Sequence, residues 1–311
     1  MSPQPPSDTI FAHPVMWPTA LAVIGSTQAL RLAEHRAGKD CNGGGMCELT
    51  VVDQAGLDLP DVEAFIAASA TAKPLVPVTL ILGYKSLSEW TAFTGYLAEA
   101  EYGSKRRTAK LTVLDDLPLR GTKITKFAVE KAAQDIAEAL LAEAGIDNHD
   151  IDLTGASLLK KEVAKNETVL DLLNRLRDTA KIRFGWWFDA AGKFIWKPWE
   201  QIAAAETYVF TRGINVVKLS PADADELAND EADTDADKIT PLTDPNEPAG
   251  PTYELETIPH PWLGPWSVVK LAGYEDSPAR AKDGYYRVDT IEHRGGNETR
   301  ALLTIRRLAD E

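Results

Sequence analysis

The feature that most constrains this chain is a change of period inside residues 165–199, KNETVLDLLNRLRDTAKIRFGWWFDAAGKFIWKPW. Val169, Leu172, Leu173 and Leu176 fall at helical spacing, and Ala180 extends the stripe. Thr168 is placed to cap this helix, with Asp171 three residues on in the capping-box position. After Arg183 the pattern becomes an alternation. Phe184, Trp186 and Phe188 face away from Gly185 and Trp187, Asp189–Gly192 supply a turn, and Phe194–Trp196 return until Pro198 ends the strand. A helix running into an aromatic hairpin is a small α/β unit. Trp186 and Trp196 are expected to pack on helices, with the other face of the hairpin outward.

Both flanks read as β. Leu21–Ile24, Ala29–His35, Glu48–Asp53, Val76–Leu82, Trp90–Tyr102 and Ala109–Leu114 are strand-like, so residues 10–118 predict a small antiparallel barrel or sandwich. In Trp90–Tyr102 the residues Thr94, Tyr96, Ala98, Ala100 and Tyr102 are expected to share one face. A short helix is predicted over Asp61–Ser69. A longer one over 125–144 carries Phe127, Ala128, Ala132, Ile136, Leu140 and Leu141 on one stripe, with Gly145 at its C′ position. On the far side, residues 206–219, 267–271, 285–293 and 299–307 again read as strands. The first dozen residues, with Pro3, Pro5 and Pro6, predict an extended arm.

The two β-rich ends resemble each other locally. GYLAEAEYGSKRRTAKLTVLDDL and YYRVDTIEHRGGNETRALLTIRRL each hold a tyrosine-led strand, a polar turn with glycine and arginine, and a Leu-Thr-Val or Leu-Thr-Ile return. Thr112 matches Thr304 at a separation of 192, while the strands before the turn match at 191. A duplicated barrel split by an α/β insertion accounts for this, and so does chance similarity between amphipathic hairpins.

Composition narrows the function. The net charge is −14, but residues 219–251 hold ten acids and one base, Lys238, so most of the excess is local. Nothing resembles the basic footprint that nucleic-acid binding requires. No apolar run approaches the roughly 18 residues of a membrane-spanning helix, and MSPQPPSDTIFAHP has no signal-like region, so neither a span nor an export leader is expected. Cys41 and Cys47 sit in CNGGGMC, where reduced thiols or a loop-closing disulfide are both compatible with the glycines. Asp233, Asp235 and Asp237 have a calcium-loop spacing, but Lys238 stands where that loop needs glycine. The five histidines form no metal-ligand spacing and there is no G-x-S-x-G elbow. No catalytic, cofactor-binding or metal residues are therefore assigned.

With the order of elements in place, PVTLILGY…FTGYLAEAEYGSKRRTAKLTVLDD, then ETVLDLLNRLRDTAKIRFGWWFDAAGKFIWKP, then GYYRVDTIEHRGGNETRALLTI, the chain resembles the baseplate hub proteins of phage tails and related contractile injection machines, of the late-control-D type. The resemblance covers roughly residues 20–307. It implies an α+β, mainly β fold with two tail-tube-like antiparallel barrels, 1–118 and 206–311, around an α/β insertion at 119–205. It also implies a non-enzymatic homotrimer that adapts a six-fold tail tube to a three-fold central spike. Its partners would be the spike, the tube or tube initiator, the tape-measure protein and baseplate wedge proteins, in a virion assembled in the host cytoplasm, with a lumen for DNA. Interface candidates are Trp262 and Trp266 in a proline-rigid segment, with Tyr96, Tyr102 and Tyr286 on the strands. The alternatives are a peptidoglycan hydrolase of the tail and a glycan-binding tail module, the latter using Trp262 and Trp266 to stack on sugar rings.

Overall fold

The computed structural model describes residues 18–25, 30–41, 43–52, 75–84, 89–102, 108–124, 132–153, 166–182, 184–198, 201, 207–222, 251–260, 263–275, 283–296 and 299–308. The arm, the helix expected at 61–69, the calcium-spaced aspartates, Trp199 and Trp262 lie outside them. The chain divides into two compact units. One holds Met16–Pro198 together with His293–Thr299, and the other holds Trp199–Glu292 and Arg300–Glu311.

In the N-terminal unit six antiparallel strands are β1 (Pro18–Ile24), β2 (Leu30–Asp40), β3 (Met46–Val52), β4 (Pro77–Tyr84), β5 (Trp90–Tyr102) and β6 (Thr108–Leu114). Their pairings run β1–β4–β5–β6–β3–β2, and β2 returns to β1 through Leu21 opposite Arg31 and Ala22 opposite Leu30. Alternate residues of these strands, among them Leu49, Val51, Leu80, Leu82, Leu111 and Val113, bury a shared core. The single face expected along β5 is interrupted. A bulge between Leu97 and Glu99 inserts one residue, so Phe93 and Leu97 point into the core and Ala100, not Glu99, resumes contact beyond it.

The α/β segment of this unit has its own core. It comprises α1 (Leu117–Gly121), β7 (Lys123–Ile124), α2 (Ala133–Glu143), β8 (His149–Ile151), β9 (Glu167–Thr168), α3 (Val169–Thr179), β10 (Trp187–Phe188) and β11 (Phe194–Trp196). The expected 125–144 helix is described from Ala133 onward, with Ile136, Leu140 and Leu141 buried. It ends in a Schellman motif: Gly145 takes φ +73°, Ile146 N–H donates to the Leu141 carbonyl, and Gly145 N–H donates to that of Ala142. Helix α3 begins with the capping box predicted from Thr168 and Asp171. Trp186 and Trp196 are buried among the leucines of these helices, Trp186 stacking on Phe194 at 5.5 Å. Trp187, expected outward, is 3% exposed, so both faces of the hairpin are covered.

The C-terminal unit repeats the first plan. Its strands are β12 (Tyr208–Thr211), β13 (Val216–Pro221), β14 (Thr252–Thr257), β15 (Val268–Ala272), β16 (Gly284–Gly295) and β17 (Arg300–Arg307), ordered β12–β15–β16–β17–β14–β13. That is the order of the N-terminal unit strand for strand. The register also agrees. Leu49 opposes Leu111 in β3–β6, and Leu255 opposes Leu303 in β14–β17. The β2 bulge between Leu32 and Glu34 has its counterpart in β13 between Val216 and Lys218. Glu99 opposes Thr112, and at the matching place the Thr290 hydroxyl donates to that of Thr304 at 2.8 Å.

One strand departs. β1 runs antiparallel to β4, whereas β12 runs parallel to β15. By the alternation of the sheet, a strand parallel to β15 is also parallel to β13. Parallel neighbours need a long crossover, and only residues 212–215 connect β12 to β13. The closure seen between β1 and β2 therefore has no equivalent in the described residues of this unit.

Candidate functional site

Three features gather the buried charges and the exposed apolar side chains of the described residues. The first is a buried ionic joint. Lys39, near the end of β2, is 8% exposed, and Asp115, just past β6, is 2% exposed. The Lys39 ammonium donates to the backbone carbonyls of Asp189 at 2.6 Å and Phe188 at 2.8 Å and reaches Asp115 Oδ2 at 3.4 Å. It also lies 4.7 Å over the Phe93 ring. Asp115 Oδ1 accepts from Gly45 N–H at 2.6 Å. Burial pushes the Asp115 carboxyl up to about 6 and the Lys39 ammonium down, each opposed by the partner's charge. This cluster ties the aromatic hairpin to the six antiparallel strands.

The glycines of CNGGGMC belong to this joint. A Cβ on Gly45 would come within 2.8 Å of Asp115 Oδ2 and of the Gly38 carbonyl, and one on Gly44 would overlap the Asp116 carboxyl. Asp116 is 1% exposed and accepts from Arg120 Nε at 2.7 Å. Cys41 and Cys47 are buried thiols that do not form a disulfide, and burial pushes the Cys47 thiol far above its ordinary range. Sequence reading singled out the tip but missed Lys39, Asp115 and Asp116. The signal was there: two adjacent acids directly after an apolar strand, and a glycine run with no side chains of its own.

The second feature is the seam of the C-terminal unit. Where the N-terminal unit pairs β1 with β2, here the Asn215 side chain stands in for a strand. It accepts from Thr211 N–H at 2.7 Å and donates to the Val209 carbonyl at 2.9 Å, while the Asn215 backbone carbonyl accepts from the Thr257 hydroxyl at 2.7 Å. Around it Val209, Ile214 and Val217 are 43%, 60% and 49% exposed, with the basic Arg212 and Lys218 also outward. Large apolar side chains at that exposure, beside a strand that pairs with β14 alone among the described residues, suit contact with another surface.

The third is an ionic cluster under Trp266. That residue takes φ +70° and is 6% exposed, with the Arg287 guanidinium 4.7 Å over its ring and its N–H donating to the Val288 carbonyl at 2.8 Å. Asp289 accepts from Arg287 Nε and Arg306 Nε, each at 2.9 Å.

Among the interface candidates, then, Trp266 is engaged inside its own unit. Tyr286 is 0% exposed and packs edge-to-face on Tyr253, which leaves it no surface to offer a partner. Alternation along β16 does not separate an inner from an outer face here, because Tyr286, Arg287, Val288 and Asp289 are all buried. Tyr96 is half-buried on β5, opposite Pro77 and Leu114. Tyr102 ends β5 opposite Ala109. Trp262 lies outside the described residues; Trp266 and Tyr286 belong to the C-terminal unit, and Tyr96 and Tyr102 to the N-terminal one. Among the described residues no group of three or more His, Cys, Asp or Glu could hold a metal, and no helix is long and apolar enough to cross a membrane.

No protein-family model matches the chain, and no curated protein does. Solved structures do. A tail protein of Neisseria meningitidis MC58 superposes with a TM-score of 0.61 at 13% identity, covering 93% of this chain and 96% of the other. The 43 kDa tail protein of prophage MuSo2 from Shewanella oneidensis gives 0.61 at 12% identity over 94% and 97%. The E. coli c3393 protein, a component of the type VI secretion system with structural similarity to the T4 tail proteins gp27 and gp5, gives 0.59 at 12% over 93% and 77%. The duplicated six-stranded units and their α/β segment thus make up a phage-tail-protein fold, shared from end to end with proteins of almost unrelated sequence.

Proposed function

We propose that the chain is a structural, non-enzymatic hub of a phage-type tail, working as a homotrimer on the central axis. The observation that carries this is the duplication: two six-stranded units with the same strand order and register in one polypeptide. Three copies present six such units, so one face of the ring matches a six-fold tube while the chain repeat matches a three-fold spike. Segments 1–118, 119–205 and 206–311 are the working parts in this reading. The fold shared with tail proteins and with a type VI secretion component supports it.

The partners follow from that position: a spike below, a tube or tube initiator above, the tape-measure protein and DNA through the lumen, and wedge proteins outside. Assembly takes place in the host cytoplasm and the product resides in the virion. Permanent contacts of this kind bury about 2,000 Å² or more. Light scattering of the purified chain, alone and with its spike, is the test. The expected result is three copies, alone or on the spike. A monomer at high concentration that binds no spike overturns the proposal.

A further inference from the structure

The buried pair Lys39 and Asp115 has the geometry of an amide bond not yet made. The two side chains are 7% and 1% exposed, so water is kept from both. A lasting buried ion pair takes a short charge-assisted hydrogen bond of about 2.7–2.9 Å. Here Lys39 Nζ stands 3.4 Å from Asp115 Oδ2, longer than its bonds to the neutral carbonyls of Asp189 at 2.6 Å and Phe188 at 2.8 Å. The nitrogen directs its best hydrogen bonds at those two carbonyls and meets the carboxyl at contact distance.

Moving one proton from Nζ to Asp115 turns the pair into an amine and a carboxylic acid, with no charge to keep out of water. Burial drives both groups toward those forms, raising the Asp115 carboxyl to about 6 and lowering Lys39. The amine keeps its two hydrogens on the Phe188 and Asp189 carbonyls, and its lone pair is free to attack. On the far side Asp115 Oδ1 accepts from Gly45 N–H at 2.6 Å. That is the oxygen on which negative charge develops when an amine adds to the carboxyl carbon. The neighbouring Asp116 is held as a carboxylate by Arg120 Nε at 2.7 Å, and its charge is near enough to raise Asp115 further.

We infer that Lys39 and Asp115 condense to an intramolecular isopeptide bond. Lys39 Nζ attacks Asp115 Cγ; the Nζ–Cγ bond forms and the Cγ–Oδ2 bond breaks. The nitrogen gives up one proton, which passes by way of the Asp116 carboxylate to the departing Oδ2 hydroxyl, and one water leaves. No oxidant, metal or cofactor enters this balance. Fixing amine and carboxyl against each other replaces a slow bimolecular condensation, with effective concentrations of roughly 10⁵–10⁸ M for well-oriented groups. The bond fastens the end of β2 to the end of β6, the two strands that flank β3, across a sequence separation of 76. It concerns one chain alone and stands or falls apart from the hub reading.

Intact-mass spectrometry of the full chain in denaturant is the test. The expected mass is about 18 Da, one water, below that of the sequence. Trypsin should release residues 111–120 joined to a peptide in which Lys39 is uncleaved. Lys39→Arg, which keeps a cation but has no primary amine, and Asp115→Ala should each return to full mass and melt below the unmodified chain. The unmodified chain decides the matter even if neither variant folds. Full mass there overturns the bond and leaves an ion pair. So does a deficit that persists in either variant, or one that maps to a single peptide, as a dehydrated aspartate would.

Discussion

His35 and His293 are both buried in the N-terminal unit, and burial pushes each down to about 4; for His293 the charges of His35 and Lys39 add to this. A histidine whose folded pKa lies below its ordinary 6.5 binds fewer protons folded than unfolded. Its contribution is therefore complete above about 6.5 and is lost as pH falls toward 4. Thermal melts between pH 7 and 4 should show a falling melting temperature, by roughly 2–4 °C for each kcal/mol lost, and His293→Gln should flatten the slope. The ionic joint gives a second prediction. Lys39→Met alone strands the Asp115 carboxylate in the interior and should cost about 3 kcal/mol or more in denaturant unfolding. Lys39→Met with Asp115→Leu should recover part of that loss, leaving Gly45 N–H unpaired.

At the scale of the element, the helix that opens the sequence argument is specified locally. Asp171 N–H donates to Thr168 Oγ1 at 3.1 Å and Thr168 N–H donates to the Asp171 carboxylate at 3.3 Å, so Thr168→Ala should cost about 1 kcal/mol in urea unfolding. The CNGGGMC tip makes a paired prediction. Gly45→Ala must displace Asp115 or the backbone and should cost about 1–3 kcal/mol, whereas Gly43→Ala, with nothing within 4 Å of the added methyl, should be nearly neutral. Most elements were legible because period and turn residues are local signals. Trp90–Tyr102 begins and ends where the alternation does. What alternation alone could not give is parity beyond a bulge, which is why the single face expected on β5 is interrupted between Leu97 and Glu99. Lys39 and Asp189 escaped notice for a different reason: they meet Asp115 only through folding, from three separate elements.

Over the whole molecule, sequence showed one matching hairpin and structure shows five matching strands. The rest was hidden by unequal connections. Leu32 answers to Val216 and Leu49 to Leu255, so the spacing jumps between those strands and no single offset aligns them. Pairing register survives where side chains have drifted, because a one-residue slip would turn every core residue outward. The reversal of β12 was not legible at all, since strand direction in a sheet leaves no mark on alternation.

The two stretches that looked most foreign, the glycine-rich tip at 41–45 and the acidic run at 222–251, are the same connection in the two copies: each joins the second strand of its unit to the third. One version is clamped short by Asp115 and Asp116; the other is long and strongly negative. Around a collar of three such chains the two versions would alternate, short and neutral, then long and charged. If three copies form the ring proposed above, this connection is the one that differs between its two kinds of unit, in length and in charge.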